Sequence, residues 1–329
     1  MSMIEWAKSA NYGRLYGELK KISKLNHVPA WLMFADAGIS SVLYGSGLQD
    51  YLNYRFYEKG PKQRSTYATI GYQYKAYKQI ASGQYADRID HKINFHKIFS
   101  AYTRREFFDP SDGLDAMLDF FKRHPVFVKK PIDGLGGGGV EKVEAASIKD
   151  PSAYLESLIS NKEFLEELVV QDPTWGSLSP GSTNTLRVIT GVVDGVSELM
   201  FAVARIGSGA AVVDNFHQGG KAVLVDIEAG KLVGNGIAKN LDESPTSPTG
   251  ITFDGFEIPY WDEVVAMVKE AALIFPEVHL IGWDVALAQD GPLIIEANRG
   301  SGFDVLQVAA KRGLKDMLGD LVARVKATS

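Results

Sequence analysis

HLIGWDVALAQDGPLIIEANRGSGFD, residues 279–304, holds two short apolar runs, IGWDVALA and PLIIEAN, on either side of a Gln-Asp-Gly turn. Apolar runs of this length joined by such a turn read as a β-hairpin. Asp284 falls on the first strand, and Glu296 and Asn298 fall on the second. Side chains two apart on a strand share a face, so Glu296 and Asn298 point together, and pairing across the hairpin can bring Asp284 beside them. Two carboxylates and an amide oxygen are hard donors, suited to a Mg²⁺ ion that keeps water and phosphate oxygens in its shell. Asp and Glu are also common on solvated strands. The hairpin alone therefore leaves two readings open, a metal site and a plain surface hairpin.

The rest of the chain narrows the choice. Its 329 residues can bury a substantial core in two or three lobes. A net charge of −5 argues against a nucleic-acid partner, which would select a basic excess. The chain has no cysteine, which excludes disulfides, zinc–thiolate centres, iron–sulfur clusters and thiol nucleophiles. The opening MSMIEWAKSANYGRLYGELKK lacks an apolar signal core. The apolar stretch Val28 to Tyr44 is interrupted by Asp36 and is short for a membrane span. The expectation is a cytoplasmic enzyme without membrane insertion.

Residues 3 to 25 carry a loosely helical apolar spacing, and DPSDGLDAMLDFFKRH reads as a helix ending near His124 and Pro125. Leu48 to Tyr85 interleaves tyrosines with Lys and Arg, a pattern that can bind nucleic acid but that the acidic balance assigns to a packed helical surface. VFVKKP reads as a strand, IDGLGGGGV as a glycine-rich turn and VEKVEAAS as the returning strand. DPSAYLESLISNKEFLEEL reads as a helix with Asp150 as N-cap, and LVVQDP as another strand. Together they suggest a small α+β lid. TLRVITGVV, ELMFAVARI, AVLVDI and KLVGNGIA follow as strands. PYWDEVVAMVKEAALIF follows as an amphipathic helix, with Val264, Val265, Val268, Ala271, Ala272 and Ile274 on or near one face, and residues 304 to 326 form a closing helix.

Three motifs can carry chemistry. Gly136, Gly137 and Gly138, within the GGGG run, leave backbone N–H groups free to meet an anion, with Lys129 and Lys130 at the end of the preceding strand. No Lys-Ser/Thr follows the glycines, so this is not a Walker A loop, and glycines also make turns with no ligand at all. SPGSTNTLRVIT places Asn184 and Arg187 at a loop-to-strand junction, where Arg187 can hold a carboxylate or phosphate bidentately. ARIGSGAAVVDNFHQGG supplies Arg205, Asn215 and His217, the last a general base or merely a hydrogen-bonding histidine.

Taken in order, these segments resemble the ATP-grasp superfamily. SxNTxRxxT, then DNFHxGG, then IGWDVA…EAN looks most like its sugar-transfer-associated group, with similarity to glutathione-synthase and RimK-type ligases. The match runs over about residues 120 to 305, and LQDYLNYRFYEKGPKQR and RIDHKINFHKIF resemble the same group more loosely. The resemblance implies an α+β ATP-grasp fold: a helical, substrate-side region over 1–105, then an ATP-grasp domain over 106–329, with a lid at about 125–172 and a carboxy-terminal lobe at about 173–329. It implies ATP and Mg²⁺ as cofactors, with Mn²⁺ as a substitute. Val169, Val170 and Gln171 would face adenine. Lys130 matches the phosphate lysine, Lys129 is an extra residue, and the glycine loop covers the phosphates. Asp284, Glu296 and Asn298 would hold the metal. Arg187, Arg205 and Arg299 would steer carboxylate or phosphoryl charge, and Asn184, Asn215, Gly300 and Gly302 would meet substrate. The competing role for the arginines is a structural ion pair with acids such as Asp214 or Asp304.

The function so implied is an ADP-forming carboxylate–amine ligase acting through an acyl phosphate, on small-molecule carboxylate and amine substrates, with a homodimer as one option of assembly. Two other readings stand beside it: a phosphoryl transferase acting on a hydroxyl or sugar acceptor, and a non-catalytic nucleotide-binding scaffold.

Overall fold

The structure, a computed structural model, describes residues 12–25, 27–80, 83–133, 138–208 and 219–328. In chain order it begins with helices α1 (Tyr12–Leu25), α2 (Ala30–Tyr44), α3 (Leu48–Asn53) and α4 (Ile70–Ile80). Then come α5 (Lys92–Ile98), β1 (Phe107–Phe108), α6 (Gly113–Arg123), β2 (Val126–Pro131), β3 (Glu141–Glu144), α7 (Pro151–Asn161) and β4 (Glu163–Glu167). Strands β5 (Thr185–Val193), β6 (Val196–Ile206), β7 (Lys221–Asp226), β8 (Lys231–Ala238) and β9 (Glu243–Ser244) lead to α8 (Trp261–Ala272). The hairpin β10 (Leu280–Ala288) and β11 (Gly291–Asn298) follows, and α9 (Asp304–Ala310) and α10 (Lys315–Thr328) end the chain.

Two compact units result: Met1–Ile80 with Gly302–Ser329, and Ala81–Ser301. The division falls earlier than the expected 105/106 boundary, and the closing helices group with the amino-terminal helices. They do so because α10 packs on α4 and α9 on α3.

The helical unit is held by aromatic side chains. Tyr51, Tyr54, Phe56 and Tyr67 are buried, with Tyr54 and Tyr67 stacked at 4.8 Å. Tyr51 donates to Asp36 (2.8 Å), which also pairs with Arg64 at 2.7 Å. Within the tyrosine-rich, basic stretch these four aromatic side chains pack inward, while Arg55, Lys62, Lys75 and Lys78 are exposed. The closing helix is broken where one continuous helix was expected. Lys311 adopts a left-handed conformation (φ 53°), and a Cβ on Gly313 would lie 2.1 Å from the Thr66 carbonyl oxygen. Gly313 permits that approach.

The second unit contains two antiparallel sheets. The four-stranded one has the order β1-β4-β2-β3 and buries Phe108, Phe127 and Leu165 against Met117, Phe120 and Leu158 of α6 and α7. Here the expected helix through Leu168 is corrected. It stops at Asn161, Lys162 turns left-handed, and EFLEE forms the interior strand β4, while residues 168–170 are not a strand. Tertiary contacts override local helix preference, because Phe164 and Leu165 are wholly buried. The seven-stranded sheet has the order β11-β10-β5-β6-β7-β8-β9. Helix α8 buries Val264, Val268, Ala271 and Ala272 in the core beside that sheet. Ile274 departs from the expected face, being exposed beyond the helix end. The result is an α+β architecture with a mainly helical amino-terminal region.

Candidate active site

The sheet register builds the centre of the site. Asp284 on β10 lies directly opposite Glu296 on β11 and Arg187 on β5. Arg187 lies opposite Val203 on β6, and Arg205 is two residues further along that strand. Cross-strand partners share a face, so all four side chains converge. Arg187 clasps Asp284 with both arms of its guanidinium, Nε donating to Oδ1 (2.5 Å) and Nη2 to Oδ2 (2.9 Å). Arg205 reaches both carboxylate oxygens through one nitrogen, at 3.3 and 3.2 Å. The tight, bidentate contact is the stronger of the two. Burial opposes ionisation of Asp284, but Arg187 and Arg205 overcome it and hold the carboxyl below its ordinary value.

Glu296 differs. Burial and the neighbouring Asp284 charge push its carboxyl above the ordinary value, with Arg187, Lys92 and Lys130 opposing them. Asn298 donates to Glu296 Oε1 at 3.3 Å, so the expected pair on β11 does point together. A bulge between Asp284 and Val285 shifts the hairpin register without separating Asp284 from Glu296.

Two residues absent from the sequence reading complete this row. Arg187 Nη1 donates to Ser301 Oγ at 3.0 Å. A Cβ on Gly282 would stand 2.3 Å from that same Oγ, so Gly282 makes the space Ser301 occupies.

A second cluster sits on the small sheet. Lys130 bonds Glu166, which is 1% exposed. Arg105 donates to Glu166 Oε2 (2.8 Å), and His96 Nε2 lies 2.6 Å from Oε1. Burial alone would favour the neutral acid, but Arg105, Lys130 and His96 hold Glu166 well below the ordinary carboxylate range. Because Glu166 is ionised, the proton it shares with His96 sits on Nε2. The His96 ring stacks on Phe107 at 4.8 Å. Arg105 is nearly buried, and its Nε and Nη2 meet no acceptor among the described residues. Lys92, the first residue of α5, has its pKa lowered by burial, and Glu296 and Glu166 counter this. The two clusters therefore share one electrostatic neighbourhood. Lys92 was missed in the sequence, where nothing in KINFHKIF sets it apart from Lys97 five residues on.

The segment between the sheets runs beside β10. Gln289 N donates to Val170 O (3.2 Å), Asp172 N donates to Leu287 O (2.9 Å), and Gln171 bridges Ala288. Val169 and Ile295 pack with Ala286, Ala288 and Leu293 into an apolar pad. Val170 is exposed.

Several expected ligand contacts are replaced by internal ones. Gln171 does not offer its side chain outward: its Nε2 donates to Ser182 O (2.7 Å), and its Oε1 accepts from Asn184 N (2.7 Å). Asn184 is wholly buried, with its amide donating to Trp175 O (3.1 Å) and accepting from Gly207 N (3.2 Å). Both residues clamp a loop. Lys129 faces away from Lys130, as strand alternation requires, and pairs with Glu141 and Glu163 at 3.1 and 3.4 Å. Arg299 forms a structural ion pair, but with Asp90, its Nε donating at 3.0 Å. Gly300 is an exposed turn residue, Gly138 is likewise exposed, and Gly302 belongs to the helical unit. Gly136, Gly137, Asn215 and His217 lie outside the described residues.

The donor set suits a hard divalent cation on one observation. Asp284 and Glu296 are opposed acids, and the second is driven toward its protonated form by burial and by the first. A cation relieves the repulsion that a shared proton otherwise relieves. Asn298 adds a neutral oxygen.

Among solved structures, the chain resembles the ATP-grasp ligase PsnB complexed with minimal precursor, at 16% identity and a TM-score of 0.46, covering 74% of this chain and 64% of that one. It also resembles D-alanyl-alanine synthetase A from Vibrio cholerae O1 biovar eltor (14% identity, TM-score 0.45, 76% of this chain and 68% of that one). N5-carboxyaminoimidazole ribonucleotide synthetase from Thermotoga maritima matches at 14% identity and a TM-score of 0.39, over 65% of this chain and 42% of that one. The chain thus spans less than two thirds of the PsnB and Thermotoga proteins. No curated protein matches its sequence. The model of the sugar-transfer associated ATP-grasp family matches residues 62–322, which take in both charged clusters and the hairpin, and the chain belongs to that family of ATP-grasp enzymes.

Proposed function

We propose that the protein is an ADP-forming carboxylate–amine ligase that works through an acyl phosphate. It would join a small-molecule carboxylate to an amine, making an amide or peptide bond in natural-product or polysaccharide-related biosynthesis. The observation that carries this reading is the Arg205–Arg187–Asp284–Glu296 row: paired acids beside two arginines, one of them bidentate on Asp284.

Each group then has a task. Asp284, Glu296 and Asn298 would hold Mg²⁺, or Mn²⁺ in its place, and the ion would supply charge neutralisation. Arg187 keeps Asp284 ionised and aimed. Arg205, on the neighbouring strand of the same row, would meet the anionic carboxylate or the phosphoryl group in transfer. Lys130 exchanges Glu166 for phosphate oxygens, and Lys92 adds its charge nearby. Gly136, Gly137 and Gly138 close over the phosphates with backbone N–H groups. The apolar pad at Val169 receives adenine, and the backbone of Val169 and Val170 borders it. Asn215, Arg299 and Gly300 would serve the acceptor end, Arg299 by exchanging Asp90 for the anion. The substrate carboxylate attacks the γ-phosphorus, ADP leaves, and the amine displaces phosphate from the acyl carbon.

The test is incubation with MgATP and a panel of amino acids and uronic acids, with products identified by mass and ADP release measured. A condensation product with stoichiometric ADP is expected. A phosphate added to an acceptor hydroxyl would replace ligation with phosphoryl transfer. No ADP release with any acceptor would leave a nucleotide-binding scaffold.

A further inference from the structure

Helix α2, AWLMFADAGISSVLY, is apolar on both its faces. One side packs inward: Met33 and Ser40 are buried, and Asp36 is held by Arg64 and Tyr51. The opposite side is open. Trp31 is 69% exposed, Ile39 56%, Val42 85% and Leu43 66%, with Val28 and Leu32 also exposed. Ala35 and Gly38 lie on the same side, and a Cβ on Gly38 would meet nothing within 4 Å. A helix that is apolar all round belongs in an interior, and at fifteen residues this one is too short to span a bilayer.

The order of the exposed residues says what covers them. Leu32, Ala35, Ile39 and Val42 follow the alternating three-four spacing of a coiled-coil seam. Ala35 and Gly38, both small, stand within it and allow two helices to approach closely. In an antiparallel pair crossing at Ala35, positions whose numbers sum to 70 face each other across the two copies. Leu32 then meets Gly38, large against small, and Trp31 meets Ile39, apolar against apolar. The seam carries no charge, so a second copy meets no repulsion on it. Its exposed side chains offer on the order of 600 Å² per copy, near the lower end of what specific dimers bury. An amphipathic helix lying on lipid would instead carry Lys or Arg along its polar face, and α2 has neither.

We propose that α2 is the seam of a symmetric homodimer, formed by antiparallel pairing of two copies about Ala35. The dimer has twice the 36.0 kDa chain mass, and it dissociates on dilution in the micromolar range. The absence of cysteine gives a direct test. Ala35→Cys should form an intermolecular disulfide under mild oxidation, because the two-fold axis brings that position against itself. Lys62→Cys, exposed and off the seam, should not. By sedimentation velocity from 1 to 100 µM, the wild-type protein should move from monomer to dimer. Ile39→Glu and Val42→Glu should stay monomeric with an unchanged melting curve. A monomer at every concentration would overturn the proposal, as would a dimer indifferent to both Glu substitutions. Two other outcomes would overturn it: a monomer whose seam binds phosphatidylglycerol vesicles, and a dimer that appears only when residues 1–11 are removed.

Discussion

Replacing Arg187 with Met probes both the stability of the large sheet and the organisation of its charged row. Arg187 and Asp284 have side chains only 15% and 6% exposed, so their interaction is little weakened by solvent. Removing one partner of a buried pair leaves an uncompensated charge and costs about 3–5 kcal/mol. Arg205 still reaches Asp284 at 3.2 Å, which puts the expected loss near the lower bound, about 3 kcal/mol. For a unit of this size that corresponds to a fall in Tm of about 6–12 °C. The sign with pH follows from the same pair. Asp284 is held below its ordinary 3.8, so the stabilisation is present above that value and is lost as pH falls through the folded pKa. The gap between wild type and Arg187→Met should therefore be full at pH 7 and narrow below about pH 4. Differential scanning fluorimetry across that range reads it, and Arg187→Met with Asp284→Asn should regain much of the loss by removing the stranded charge. A single variant melting within one degree of wild type, or a double variant no more stable than the single, would refute the reasoning.

Glu296→Gln should lower MgATP-dependent turnover at least 10²-fold. Its melting temperature at pH 7 should be equal or higher, since Gln mimics the protonated state that burial and Asp284 favour; turnover against Mg²⁺ concentration and a melt separate the two effects. Lys130→Met should weaken nucleotide binding about tenfold or more by calorimetry while keeping the fold, because Arg105 and His96 still satisfy Glu166. Asp50 accepts from the Gly47 and Ile70 N–H groups, and burial raises its pKa from 3.8 to about 6. The folded state thus holds a proton that the unfolded state releases, and this contribution to stability falls as pH rises from about 4 to 6, by up to about 3 kcal/mol. Asp50→Asn keeps an acceptor for both N–H groups, so the difference in melting temperature between variant and wild type should grow across that window and level off above it.

The hairpin at residues 279–304 was legible because its signals are local: two apolar runs, a turn, and polar residues two apart on a strand. Strand β4 was not. EFLEE follows a capped helix and carries three glutamates, and nothing nearby says that Glu166 will be buried. Its burial depends on His96, Arg105 and Lys130, which lie far apart in sequence and meet it only in the fold. The break before Lys315 depends in the same way on Thr66. Asn184 and Gln171 show the converse. Polar residues beside a loop suggest a ligand, yet here they bond each other's backbone and neighbours. Residue type alone does not separate a clamp from a contact. Of the three arginines, two share Asp284 and one pairs with Asp90, a distinction set by strand register that no spacing in the sequence carries.

The two charged clusters solve one physical problem in the same way. A site for a polyanion needs several buried cations, and cations buried without partners would destabilise the fold. Lys130 and Arg105 are balanced by Glu166, and Arg187 and Arg205 by Asp284. Anion binding at such a site is an exchange of counter-ions, and its net strength is the difference between two sets of hydrogen bonds. The two arginines differ in how they hold Asp284. Arg205 holds Asp284 at 3.2–3.3 Å through one nitrogen, against the closer bidentate grip of Arg187. In the proposed ligase reading, the difference in grip on Asp284 is what would divide the two arginines, with Arg187 keeping the carboxylate in place and Arg205 meeting the incoming anion.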